Sequence, residues 1–320
     1  MIKYFGTRKK QEDGNVAEPL TEKIGKVTLN YQFYHGTDEY SDGDVEDRML
    51  EVVREKRNYE EEVLLDGNEW AMLYHLSPIR ENLLEWYDFG EGKSLLEIGA
   101  GCGAVTGLFC RKTERVVAID LSKKRSTINA TRNQAYDNLE IIVGNFEDIH
   151  TEEKFDYVTL IGVLEYSIYY INSPDPFTDM LKKAKEYLKP GGKLIIAIEN
   201  KFGIKYWAGA TEDHTGNIND GIEGYSGVER VRTFSKKGLE DLIRGAGFEG
   251  VEFYYPLPDY KLPLEIYSEH YLPKRYPISG NAPNYDRDRY INFNEEKVMN
   301  ELIEDGRFEE FANSFLVFCS

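Results

Sequence analysis

Between residues 94 and 200 the chain alternates short runs of valine, isoleucine and leucine with helical stretches of about ten to fifteen residues, and this pattern specifies parallel βαβ units. The expected strands are SLLEIGA (94–100), RVVAID (115–120), LEIIVGN (139–145), FDYVTLIG (155–162) and KLIIAIEN (193–200). Their apolar character is nearly continuous. A strand of that kind is buried on both faces, so helices must cover both sides of the sheet. One covering helix is predicted over 177–188, stopped by Lys189-Pro190-Gly191-Gly192, where proline cannot continue it and glycine accepts the left-handed turn. Another begins after Ser235, a good N-cap, and ends near Gly247. Two further strands, VEFYY (251–255) and SFLVFC (314–319), close the sheet with a long excursion between them.

Upstream, IGKVTLNYQF (24–33) reads as a strand. Asp44–Asn58 reads as a helix with Val45, Met49, Val52 and Val53 on one face. A helix over 68–87 carries Trp70, Leu73, Leu76, Leu83 and Leu84 inward, kinked or divided at Pro78. Residues 1 to about 22 are polar and expected to be loose. The chain therefore divides into an N-terminal extension or cap, 1–68, and a domain, 69–320, with inserts at 201–234 and 256–312.

Charge narrows the function. Against 57 acidic residues stand 39 Lys and Arg, a net −18 spread along the chain. The basic runs are only Arg8-Lys9-Lys10 and Lys123-Lys124-Arg125, so neither a nucleic-acid backbone nor an anionic membrane is an expected partner. The longest mainly apolar stretch, 157–164, falls far short of the ~20 residues that span a bilayer. The segment MIKYFGTRKKQEDG is charged where a signal peptide is apolar. Cys102, Cys110 and Cys319 form no CxxC pair. A reducing, cytoplasmic setting and no metal are expected.

The run LLEIGAGCGAVTG (95–107) leads from strand through a glycine turn into a helix. Gly99, Gly101 and Gly103 let backbone approach a ligand without an intervening side chain. Asp120 follows Gly99 by 21 residues, at the end of the next strand, where a carboxylate accepts from both ribose hydroxyls. A nucleoside-containing cofactor is expected. Gly99, Gly101 and Ala104 also satisfy GxGxxG/A, so the turn alone leaves dinucleotides open.

Glu97 two residues before the first glycine, Gly144-Asn145-Phe146-Glu147-Asp148 after the third strand, and KPGG before the fifth resemble, taken together, the class I S-adenosylmethionine-dependent methyltransferases. The resemblance covers about residues 70–255 and the last strand. It implies an α/β, Rossmann-like, seven-stranded sheet with the last strand antiparallel, and S-adenosylmethionine as cofactor with S-adenosylhomocysteine as product. It places Glu97 and the Gly99, Ala100, Gly101 and Gly103 backbone on the methionine part, Asp120 with Leu121 at the ribose, and Asn145 with the Phe146 amide at the adenine. Many relatives carry Asp where this chain has Asn145. Gly162 to Glu165 would lie beside the sulfonium. KYWAGATEDH, VRTF and YYPLPDYKLP further resemble methyltransferase modules found with bacterial surface-polysaccharide glycosyltransferases, implying a saccharide acceptor.

Methyl transfer needs a nucleophile placed in line behind the methyl carbon, water excluded and, for a hydroxyl, a base. The loops after the fourth and fifth strands supply candidates: Glu165, and His214 oriented by Asp213 or Glu212. Eight of the 23 tyrosines fall between Tyr254 and Tyr290, six of them in the 256–312 insert, which is read as a lid over the acceptor or as a dimerisation arm. The expected function is a methyltransferase, O-directed, on a small polar molecule or saccharide precursor. A small-molecule N-methyltransferase and a non-catalytic cofactor-binding scaffold are the alternatives.

Overall fold

The computed structural model describes residues 20–36, 38, 43–58, 70–225, 231–284 and 287–320. The polar stretch through residue 19, with Arg8-Lys9-Lys10, and the expected helix start at Asn68 lie outside the described residues. Ten strands form one sheet: β1 (Thr21–Ile24), β2 (Val27–Phe33), β3 (Ser94–Ile98), β4 (Arg115–Asp120), β5 (Leu139–Gly144), β6 (Phe155–Ile161), β7 (Leu188–Glu199), β8 (Val251–Leu257), β9 (Glu265–Ser268) and β10 (Ser314–Cys319). Their order is β1-β2-β5-β4-β3-β6-β7-β10-β8-β9.

The inner seven follow the expected α/β, Rossmann-like plan. From β5 to β7 the pairs are parallel, and β10 enters between β7 and β8 antiparallel to both. The sheet is wider than seven strands because both edges are extended. β2 pairs in parallel with β5 and carries the hairpin strand β1, while β9 folds back on β8. Thus residues 21–33 of the N-terminal extension lengthen the sheet, while the helix Asp44–Glu55 lies over the helix Lys123–Arg132.

Side chains alternate between two cores. Leu96, Ile98, Val117, Leu160 and Ile196 enter one, and Leu95, Val116, Ala118, Ile195 and Ala197 the other. Pro78 does divide its helical region: Trp70–Leu76 is α-helical, and a 3-10 turn over Pro78–Glu81 follows, capped by the Ser77 hydroxyl. KPGG is not a turn ahead of β7 but part of it. Gly191, at φ +80°, absorbs an irregularity against Phe155–Tyr157. The 256–312 excursion has structure of its own, β9 and the helix Glu295–Glu304. No described helix is long and apolar enough to cross a membrane.

Strand order reverses at β3, whose neighbours β4 and β6 lie on opposite sides. A crevice opens at the carboxyl ends of strands at such a switch point, and the glycine turn leaves β3 there.

Candidate active site

The turn after β3 is shaped by the end of β4. Gly99 and Ala100 both donate their amides to the Ile119 carbonyl, at 2.9 and 3.0 Å. Asp120 then crosses between the loops, Oδ2 accepting from the Gly101 amide at 2.7 Å and Oδ1 from the Ser122 amide at 2.9 Å. Burial raises its carboxyl pKa, with Arg125 opposing. Gly99 has φ +71°, and a Cβ there would meet Val163 Cγ2 at 2.4 Å, so only glycine fits this turn beneath the β6 loop.

These loops line a cavity of about 310 Å³. Around one part of it lie Glu97, Gly99, Ala100, Gly101, Asp120, Leu121, Asn145, Phe146 and Gly162; around another lie Glu165, Glu199, Asp213, His214, Tyr260 and Lys261. Gly103 is the exception among the expected cofactor residues. It does not line the cavity, and a Cβ there would meet Asn129 Oδ1 at 2.4 Å, so its glycine serves packing of the turn on the helix Lys123–Arg132. Cys102 is likewise buried outside the lining.

Glu97 accepts from the Thr106 hydroxyl at 2.6 Å, which in turn accepts from Asn129. Burial pushes its carboxyl up to about 8 against that hydrogen bond, and the nearby Asp120 charge adds to the rise. Asn145 caps the short turn after β5 through Oδ1, which accepts from the Glu147 amide at 3.3 Å, while Nδ2 donates to the Tyr170 carbonyl. An amide oxygen has two lone pairs, so Oδ1 can accept from one further donor.

The lining therefore suits a nucleoside attached to an amino acid. A carboxylate stands at the end of β4, another at β3, and a glycine turn between them has no side chain at Gly101 to fill the space.

The loop after β7 folds so that Glu212, not Asp213, orients His214. Glu212 Oε2 accepts from the His214 and Thr215 amides at 2.8 and 2.6 Å, and Oε1 lies 3.0 Å from His214 Nδ1. Tyr225 also donates to Oε1. Asp213 instead pairs with Lys205 at 2.8 Å and Lys261 at 2.6 Å. Burial works against its charge, but the two ammonium groups hold its carboxyl well below the usual range.

With Nδ1 engaged, His214 Nε2 faces Glu165 Oε1 at 3.8 Å and Glu199 Oε2 at 4.0 Å. The imidazole pKa is raised well above its ordinary value, because Glu199, Glu165 and Glu212 outweigh its burial. Among the described residues neither oxygen of Glu165, whose side chain is 1% exposed, has a hydrogen-bond partner, and the same is true of Glu199 Oε2. Burial raises the Glu165 carboxyl pKa.

Several wall residues escaped sequence reasoning. Glu199 is the last residue of an apolar strand, and Lys261 sits in the tyrosine-rich insert, 2.5 Å from Glu199 Oε1. Arg80 stacks 4.3 Å over Tyr74 and donates to the Lys261 carbonyl, tying the 3-10 turn to the insert. Tyr260 buries its ring beside Gly162. The clustering of tyrosines was the available signal for this wall.

Residues 96–196 match a protein-family model described as a methyltransferase domain. Over 185 residues the chain is 31% identical to erythromycin 3''-O-methyltransferase of Saccharopolyspora erythraea, covering 54% of this chain and 56% of that protein. It is 28% identical over 129 residues to a mitochondrial ubiquinone biosynthesis O-methyltransferase of Dictyostelium discoideum, 36% of this chain and 38% of that one. The chain thus spans well under two thirds of the length of these curated relatives. A solved S-adenosylmethionine-dependent methyltransferase of Thermotoga maritima, described as a possible histamine N-methyltransferase, aligns with a TM-score of 0.44 at 17% identity over 85% of this chain and 99% of that one.

Proposed function

We propose, from the premise that this chain belongs to the class I S-adenosylmethionine-dependent methyltransferases, that it methylates a hydroxyl oxygen of a small polar acceptor, a saccharide precursor being the leading class. When bound, S-adenosylmethionine supplies a methyl group on a sulfonium, open to in-line attack. Glu97 and the glycine turn would hold the methionine part, Asp120 and Leu121 the ribose, and Asn145 with Phe146 the adenine. Gly162 keeps the wall free of a side chain where the two parts of the cavity meet; a Cβ there would meet the Tyr260 hydroxyl at 2.8 Å.

The observation that carries the reading is the pair of buried carboxylates, Glu165 and Glu199, whose unpartnered oxygens line the cavity beside an imidazole held in one orientation by Glu212. A buried polar atom without a partner costs about 1–3 kcal/mol, more when charged. A hydroxyl donating to Glu165 satisfies one such atom, and the Glu165–His214 pair can receive its proton. Tyr260, Lys261 and Asp259 from the insert close this end, which supports the lid reading over a dimerisation arm. The erythromycin relative, named as an O-methyltransferase, is consistent with oxygen as the target.

The same unpartnered carboxylates favour one second reading, an ammonium acceptor and N-methylation. Methyl transfer to panels of hydroxylated sugars and of amines, with products identified by mass spectrometry, decides between them. Methylation of amines alone would overturn O-direction. Cofactor binding without turnover on either panel would favour a scaffold.

A further inference from the structure

We infer that Glu165, Glu199 and His214 form a divalent-cation site in the acceptor part of the cavity, contrary to the sequence expectation of no metal. One ligand atom from each lies within 4.8 Å of the others, with Nε2 at 3.8 and 4.0 Å from the two carboxylate oxygens. These separations are too long for hydrogen bonds. They suit donors around one ion: metal–ligand distances of about 2.0–2.6 Å separate neighbouring donors by roughly 3–4 Å.

Three observations point to the occupant. Glu165 is fully buried with both oxygens unpartnered, and Glu199 Oε2 beside it is unpartnered too. His214 has its Nδ1 on the Glu212 carboxylate, an arrangement metal-ligating histidines commonly use to aim the other nitrogen at the ion. Glu212 is itself fixed by two amides and Tyr225, so the aim is built into the loop. Finally, five carboxylates, those of Glu165, Glu199, Glu212, Asp213 and Asp259, outnumber the side-chain cations Lys205, Lys261 and Arg80 at this end, and an ion bound at Nε2 takes the place of the imidazole proton. A divalent ion offsets that excess.

Two carboxylates and an imidazole suit a first-row ion such as Mn²⁺ or Zn²⁺ better than Mg²⁺ or Ca²⁺, which prefer oxygen alone. With three protein ligands the ion keeps positions open for water or an acceptor oxygen, whose pKa it lowers. His214 then acts as a ligand, and Lewis acidity replaces proton removal by its imidazole. What the ion does rests on the methyl-transfer reading; whether it binds does not.

The test is titration of the full-length, chelator-treated protein with Mn²⁺, followed by electron paramagnetic resonance and thermal denaturation. One ion per chain is expected, with a raised melting temperature and a nitrogen hyperfine coupling that His214→Ala abolishes. Glu165→Gln keeps the shape of the side chain and should fold, with affinity for the ion at least about tenfold weaker; Glu212→Gln should weaken it about 10–100-fold. Absence of stoichiometric Mn²⁺ and Zn²⁺ binding, with or without S-adenosylhomocysteine, overturns the site. So does Mn²⁺ affinity unchanged in Glu165→Gln, or stabilisation by methylammonium in place of metal. S-adenosylhomocysteine calorimetry on the same samples separates the two readings: intact cofactor binding without ion binding refutes the metal site alone.

Discussion

Glu97 makes the stability of the ligand-free protein depend on pH in a direction opposite to most carboxylates. Its pKa rises from an ordinary 4.5 to about 8 because the folded site buries it. The folded state therefore keeps a proton that the unfolded chain has already released. Stability from this group is fully present below about pH 4.5, is lost progressively as pH rises, and stays lost above about 8. Each pH step across that interval is worth about 1.4 kcal/mol, so the whole effect is roughly 3–5 kcal/mol. Glu97→Gln carries the neutral form permanently. Urea denaturation of both proteins from pH 4.5 to 9 should show similar stability at the acid end and the variant increasingly more stable toward pH 8. If Glu97 meets the cofactor's ammonium, binding also forces its ionisation. Calorimetry at pH 7 in two buffers of different ionisation enthalpy should then reveal release of close to one proton, absent in Glu97→Gln. Parallel stability curves would refute the burial argument, and proton-free binding by the wild type would remove Glu97 from the cofactor.

Asp120→Ala should weaken S-adenosylhomocysteine binding roughly ten- to a hundredfold by calorimetry, since a hydrogen bond to a charged group is worth about 1.5–3 kcal/mol; unchanged affinity would remove the ribose assignment. Gly162→Ala puts a side chain at φ +68° and against the Tyr260 hydroxyl, so it should cost about 1–3 kcal/mol in urea denaturation and weaken cofactor binding. Asp213→Ala leaves buried Lys205 with only Asp259, at 3.9 Å, and Lys261 with Glu199 alone, and should destabilise by about 3–5 kcal/mol, whereas a variant near wild-type stability would show those lysines rearranging freely.

The inner sheet was legible because burial on both faces writes each strand as an unbroken apolar run; β4 and β10 keep the predicted limits. The edges were less so. β9 is four residues, Glu265–Ser268, with no apolar run to mark it, and it exists through pairing with β8. Around the first part of the cavity, the turn that brings Gly99 and Gly101 to Asp120 was readable because it is local, though Gly103 shows that one glycine in such a turn can serve packing instead. The part of the cavity around His214 was readable only in outline. Which of two adjacent carboxylates orients His214 depends on how the loop turns back on the Glu212 side chain, and the partners of Asp213 come from Lys205 and from Lys261, 48 residues away. Glu199 looked like a strand end because its role depends on those distant cations.

β10 lies inside the sheet but follows the insert in sequence. Until it arrives, β7 and β8 each present an unpaired edge able to capture another chain. Incomplete chains or folding intermediates that lack residues 314–319 are therefore the species most exposed to aggregation. The insert that lines one end of the cavity is also the tether that delivers β10, the Asn313 side chain donating to the Pro258 carbonyl across the base of the excursion. Sheet completion and enclosure of the cavity are in this way a single assembly event.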